Sequence, residues 1–129
     1  MRSSIVFASA FLLLGSLPAN AADADAGKKV FAQCRACHQV GEKAKNAVGP
    51  VLNGLFGREA GSVPGYKYSD ANKNSGITWD EETFREYIQD PRKKIPGTKM
   101  VYAGLKDEKK IDDLIAYLHE FDDLEPKAK

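Results

Sequence analysis

Cys34-Arg35-Ala36-Cys37-His38 is the segment that most constrains this chain. Two thiols at this spacing reach the two vinyl groups on one edge of a porphyrin. The histidine directly after the second thiol is then tethered beneath the ring, where a ring nitrogen can bind iron. The pattern is that of c-type haem attachment. Three rival uses of these residues fit less well. A thioredoxin-like dithiol needs a βαβ setting, and no strand alternation is evident. A zinc site needs four ligands, whereas the chain holds only two Cys, and its one other His is His119. A disulfide across two intervening residues closes too short a loop to staple a fold.

The 129 residues fit one domain. With 43% hydrophobic and 29% charged residues, the chain suits a soluble globular protein and not a disordered one. No apolar run reaches the roughly 18 to 20 residues of a membrane span. A net charge of +1 excludes a bulk nucleic-acid binder. Residues 1–21 read as a cleaved secretory signal peptide. Arg2 supplies the positive start, Ile5 to Leu14 the apolar stretch, Pro18 the break, and Ala19-Asn20-Ala21 the small-residue cleavage site. An uncleaved anchor would need a longer run. The expected mature domain is 22–129, it is electrically neutral, and it works in the periplasm, where thiols can oxidise.

Along that domain the periodicity predicts three or more helices joined by long loops. Asp25 is the expected cap of a first helix burying Val30, Phe31 and Cys34. Gly41 to Gly65 reads as ordered loop with one apolar piece, Val51 to Phe56, and Tyr66 to Gly76 as a second loop. Thr78-x-x-Glu81 predicts a capping box for a helix carrying Phe84, Tyr87 and Ile88, stopped by Asp90-Pro91. Ile95 to Gly104 is another loop. Asp107 is the expected cap of a last helix with Ile111, Leu114, Ile115 and Leu118 on one face. About half of the mature domain then lies outside regular structure, and such helices bury little area against the ordering entropy. Small domains with that shortfall carry a staple or a large cofactor.

A haem iron with His38 on one side leaves Met100, His119, a lysine or nothing for the other. Met100 is the only Met beyond the leader. A lone Met is ordinarily core filler, but this one lies in a loop turned by Pro96 and Gly97. His119, at the margin of the last helix, reads as a solvated surface residue. Met/His ligation closes both axial positions and raises the reduction potential.

Beyond Cys34 to His38, the chain carries Gly49-Pro50, Gly54-Leu55-Phe56-Gly57-Arg58 and Tyr68-Ser69-Asp70-Ala71-Asn72-Lys73-Asn74. It also carries Gly76-Ile77-Thr78-Trp79 and Pro96-Gly97-Thr98-Lys99-Met100. On these motifs, which span the mature domain, it resembles the class I c-type cytochromes. The likeness is greatest to the bacterial cytochrome c2 group, and extends to mitochondrial cytochrome c. The resemblance implies an all-α cytochrome c fold, with several helices and long loops wrapped around one haem c bound covalently through Cys34 and Cys37. It implies His38 and Met100 as axial ligands and a Pro50 carbonyl on the free nitrogen of His38. It places Arg58, Tyr68 and Trp79 around the haem propionates, and Asn72, Tyr87 and Thr98 near the Met ligand. Gly27 and Phe31 would meet the last helix near Leu114 and Tyr117. Tyr102 stands where the family most often has Phe beside the haem edge. Phe31 is one residue closer to Cys34 than in mitochondrial members, which favours a bacterial source.

The neutral sum hides an arrangement. Residues 28–58 and 92–110 each balance to +5, residues 78–91 balance to −4, and residues 111–125 hold six acids and no base. The two basic segments carry the proposed haem ligands, so a basic docking face near the haem edge is expected. The expected function is one-electron shuttling by a monomer between membrane redox complexes. The donor is of cytochrome bc1 type, and the acceptor is a photosynthetic reaction centre or a terminal oxidase. No nucleic acid, membrane insertion or substrate chemistry is involved. The alternative is a small haem peroxidase with a displaceable sixth ligand. A domain using haem only as a core is a second rival.

Overall fold

The computed structural model of the chain describes Gly15 and residues 21–126. Apart from Gly15 and Ala21, the leader expected over 1–21 lies outside the described residues. Five helices occur among those described: α1 (Ala24–Phe31), α2 (Asp70–Lys73), α3 (Glu81–Gln89), α4 (Pro91–Lys94) and α5 (Glu108–His119). The only strand-like pairing among them is an isolated antiparallel bridge, Glu59 to Thr78.

α5 follows its sequence pattern. Asp107 accepts the Lys110 N–H at 3.0 Å, satisfying one donor that the first turn leaves free. Ile111, Leu114, Ile115 and Leu118 are all buried, each contributing about 1.5–3 kcal/mol. α1 crosses α5 at Gly27. A Cβ there would lie 1.9 Å from the Asp113 carbonyl oxygen, so only glycine lets the two backbones meet. Beside the crossing, the Phe31 and Tyr117 ring centroids are 5.4 Å apart. The Asp113 carboxylate is buried and accepts the Asp23 N–H at 2.8 Å and the Lys109 ammonium.

Four local expectations are corrected. Asp23, not Asp25, caps α1, accepting from the N–H groups of Asp25 and Ala26; Asp25 lies inside the first turn. Of the expected buried face of that helix, Phe31 is buried while Val30 and Cys34 are half-buried against the core, Cys34 because it lines the cavity. Asp80 caps α3 through the Thr83 N–H at 2.7 Å. Thr78 cannot, since it is held extended in the bridge to Glu59. The Tyr66–Gly76 loop contains α2, capped by Ser69 on the Asn72 N–H. Asp90 and Pro91 do end α3, but they also start α4: Pro91 sits at its first position and Asp90 accepts from Lys93 N–H. A proline has no N–H to lose at a helix start.

No helix occurs between residues 32 and 69, and side chains do the work of secondary structure there. Asn53 exchanges two hydrogen bonds with the Gly41 backbone, each 2.8 Å. Asn46 accepts the Val51 N–H and donates to the Pro64 carbonyl, both at 3.0 Å. Gly57 N–H donates to Trp79 and Trp79 N–H to Arg58, which sets Arg58 beside Trp79 across the sequence. α3 is tied to α5 by Arg85, which pairs with Glu108 at 3.1 Å and Asp112 at 2.6 Å.

Candidate haem site

Between these elements lies an apolar cavity of about 480 Å³, within the range of cofactor pockets. Leu55, Phe84, Ile88, Leu114 and Leu118 supply much of its wall. All eleven site residues expected from the sequence line it: Cys34, Cys37, His38, Pro50, Arg58, Tyr68, Asn72, Trp79, Tyr87, Thr98 and Met100. The chain therefore brings residues 34 to 100 to one space, although no two of its helices alone enclose it.

Cys34 and Cys37 follow α1 in a tight turn in which His38 N–H donates to the Cys34 carbonyl at 2.9 Å. Both thiols are free. Burial, and then the neighbouring Cys37, push the Cys34 thiol up to about 11. That is the opposite of the lowered pKa of a reactive dithiol.

The His38 ring is fixed from two sides. Its Nδ1 is 2.8 Å from the Pro50 carbonyl oxygen, which can only accept. Nδ1 therefore carries the proton and Nε2 keeps a lone pair. Burial lowers the His38 pKa, the Pro50 bond opposes that, and Arg58 lowers it further. The neutral, metal-binding form is thus favoured. Gly49 covers the ring face: a Cβ there would lie 2.3 Å from His38 Cε1. Met100 is half-buried, and the Tyr87 hydroxyl donates to its Sδ at 3.2 Å. Thr98 Oγ1 lies 3.4 Å from the same hydroxyl.

On the Arg58 side the chain holds polar groups facing apolar space. Arg58 Nη1 donates to the Val51 and Asn53 carbonyls at 3.2 and 2.9 Å, yet its buried Nε has no partner. Tyr68 accepts the Val63 N–H at 3.1 Å, so its own hydroxyl proton remains to be donated. Asn72 Oδ1 is also buried without a partner. Leaving such groups unpaired costs about 1–3 kcal/mol each. A bound group with carboxylates near Arg58 and Tyr68 relieves that cost for the Arg58 Nε donor, whereas Asn72 Oδ1, an acceptor, needs a donor instead. The thiols, the imidazole lone pair, the thioether, the apolar wall and the orphaned donor together fit haem c.

Sequence reasoning passed over residues that build the site indirectly. Tyr66 lines the cavity, donates to the Val48 carbonyl at 2.6 Å, and carries the Lys99 ammonium 4.9 Å above its ring. Asn46 and Asn53 pin the loops that present Pro50 and Arg58. Asparagines in Gly- and Pro-rich stretches were the available signal, since their amides substitute for backbone partners. His119 lies at the surface, as expected, with about a third of its side chain exposed and no place in the cavity wall, but it is not unpartnered. It stacks on Phe56 with ring centroids 4.3 Å apart and contacts Asp122 and Glu81.

Comparison with known proteins agrees with this geometry. The family model described as "Cytochrome c" matches residues 24–122. Cytochrome c2 of Blastochloris viridis is 62% identical over 117 residues, covering 91% of this chain and 92% of that protein. Cytochrome c-550 of Nitrobacter winogradskyi is 58% identical, covering 83% and 99%. Among solved structures, cytochrome cH from Methylobacterium extorquens superposes with a TM-score of 0.72 at 52% identity, covering 76% of this chain and 98% of that one. A cavity that fits haem c, a family match across it and similarity over nearly the full length of such relatives lead to one conclusion: the chain belongs to the cytochrome c family and binds haem c covalently.

Proposed function

We propose that the chain is a periplasmic one-electron carrier moving between membrane redox complexes. One haem c is tethered at Cys34 and Cys37 and held axially by His38 and Met100. The observation that carries this reading is the pair of oriented ligands on one apolar cavity: His38 aimed by the Pro50 carbonyl, and Met100 aimed by the Tyr87 hydroxyl.

Bound haem supplies a one-electron ferric/ferrous couple. The chain's residues set its conditions. The Pro50 carbonyl holds the His38 Nδ1 proton, which fixes the ring and makes Nε2 a better donor. The Tyr87 hydroxyl draws density from Met100 Sδ. Leu55, Phe84 and Leu118 exclude water, so little solvent reorganises when charge changes. Arg58 and Tyr68 offer donors to carboxylates that would otherwise be costly to bury, and Trp79 packs beside them. Asn72 and Thr98 complete the polar cluster near Met100. Two apolar side chains on the rim are exposed, Val48 at 65% and Val101 at 81%. With Lys99, which lines the same cavity, they support contact with a partner there. A cytochrome bc1-type donor and a reaction-centre or oxidase acceptor suit such a carrier. The signal-like residues 1–21 support export.

Met100→Ala tests the ligand assignment. The variant is expected to keep covalent haem, lose the red-end ferric band of iron–sulfur ligation, and fall in potential by tenths of a volt, within the ~0.8 V that axial ligands control. Carbon monoxide should bind the reduced variant promptly and the wild type slowly. Retention of the band in the variant, or prompt binding by the wild type, would overturn the closed His/Met site and favour a peroxidase.

A further inference from the structure

We propose that protonated His119 is a positioning residue for the Met100 side of the haem site: a proton-operated clasp that holds the start of α3. His119 is the last residue of α5. Its Nδ1 is 2.6 Å from Asp122 Oδ2 and its Nε2 2.8 Å from Glu81 Oε1. Glu81 is the first residue of α3. A neutral imidazole has one N–H and one lone pair. It can satisfy one carboxylate only, and would set its lone pair against the other. Two carboxylates on opposite ring nitrogens at these distances require the imidazolium.

The groups facing the ring agree. α3 offers Glu81, the C-terminal turn offers Asp122, and the 54–57 turn offers only the apolar Phe56 ring, stacked at 26°. Burial pulls the His119 pKa down, but bonds from Asp122 and Glu81 and their charges outweigh it, and the net direction is up from 6.5. The ring is one-third exposed, so protons exchange freely with solvent.

Contacts run from the clasp to the site along two routes. Phe56 packs edge-on against Phe84, centroids 5.7 Å apart, and Phe84 lines the cavity. Glu81 starts the helix that carries Tyr87, whose hydroxyl donates to Met100 Sδ. The far side of α3 is pinned separately by Arg85 on Glu108 and Asp112. Loss of the proton therefore removes the side-chain tie at the start of α3, while the Arg85 anchor and the Trp79 backbone bonds hold. The change it permits is a tilt, which moves Tyr87 relative to Met100.

The sign follows from the raised pKa. The clasp contributes fully below the unfolded value near 6.5 and is lost as pH rises through the higher folded value. The proposal rests on Met100 as an iron ligand. The experiment uses holoprotein: wild type, His119→Gln and Glu81→Gln. NMR titration of the His119 ring, denaturant unfolding and the reduction potential are each followed from pH 5.5 to 9. In the wild type, the ring should titrate above 6.5. The unfolding midpoint should fall along the same curve, and the potential should bend at the same pH. His119→Gln should lose the bend in both, and Glu81→Gln should lower the titration point while still folding.

A ring that titrates at or below 6.5 would overturn the clasp. So would a bend in potential that survives in His119→Gln, and so would its absence from the wild type, which would leave His119 a structural contact only. Failure of the ligand assignment looks different: the wild type would then lack the iron–sulfur band at every pH.

Discussion

Gly49 and Tyr87 each act directly on a proposed ligand, His38 and Met100 respectively, and each gives a sharp test. A methyl at Gly49 meets the His38 ring at 2.3 Å, and the ring cannot retreat without leaving the Pro50 carbonyl. Overpacking of this kind costs about 1–3 kcal/mol. Gly49→Ala holoprotein should unfold at correspondingly lower denaturant, and an unchanged midpoint would show that the ring is not clamped. Tyr87→Phe removes the donor to Met100 Sδ, together with the longer contact to Thr98 Oγ1, and keeps the ring in the wall. The sulfur becomes a stronger electron donor, which favours ferric iron. The potential should fall by an amount equivalent to about 0.5–1.5 kcal/mol, read by spectroelectrochemistry with the iron–sulfur band retained. A rise would reverse the assigned direction of the bond.

At the scale of elements, the α1–α5 crossing is the joint that most of the fold hangs on. Leu114 is buried in it and lines the cavity, and Leu114→Ala should cost about 2–5 kcal/mol. Asp113 gives the joint a pH dependence. The Lys109 ammonium first, and the Asp23 N–H second, hold its carboxyl below the ordinary 3.8. That stabilisation is present above the unfolded value and is lost as pH falls through the folded one. Wild-type stability should therefore drop below about pH 4, and Asp113→Asn should lack that part of the acid slope. Equal acid slopes in the two proteins would dissociate the joint from this carboxylate.

Across the whole molecule, the core is built around the cavity: Leu55, Trp79, Phe84, Ile88, Leu114 and Leu118 belong to both. Cys34→Ala or Cys37→Ala should yield little holoprotein, and haem-free mature chain should show little helix by circular dichroism. Native-like helix without haem would refute that dependence. The charge pattern is finer than the sequence reading implied. Lys94 is tied to Glu86, Lys99 to the Lys67 carbonyl, and Asp112 to Arg85. The ion pairs among the described residues leave Lys93 and Asp123 free. Lys93→Glu should slow electron transfer with an acidic partner, and Asp123→Lys should not. The difference should shrink between 0.01 and 0.1 M salt, as the Debye length falls from roughly 30 to roughly 10 Å. Equal, salt-independent rates in stopped flow would make the charges a solvated surface.

The sequence by itself determined what is local. The Cys34–His38 spacing, the Asp107 cap, the α5 stripe and the Pro96-Gly97 turn before Met100 each depend on neighbours a few positions away, where propensity and capping act. The family resemblance carried the eleven site positions, and all of them line one cavity. Tertiary structure decided whatever depended on distant partners. Thr78 lost its capping role to Asp80 because Glu59 holds it extended. α2 forms within a segment whose own four helical residues bury nothing. His119 became an ion-paired clasp because α3 and the C-terminal turn bring Glu81 and Asp122 to its two nitrogens. A charged side chain shows its type in the sequence but not its partner, because Glu81 and His119 are 38 positions apart, and only the packed chain makes them neighbours.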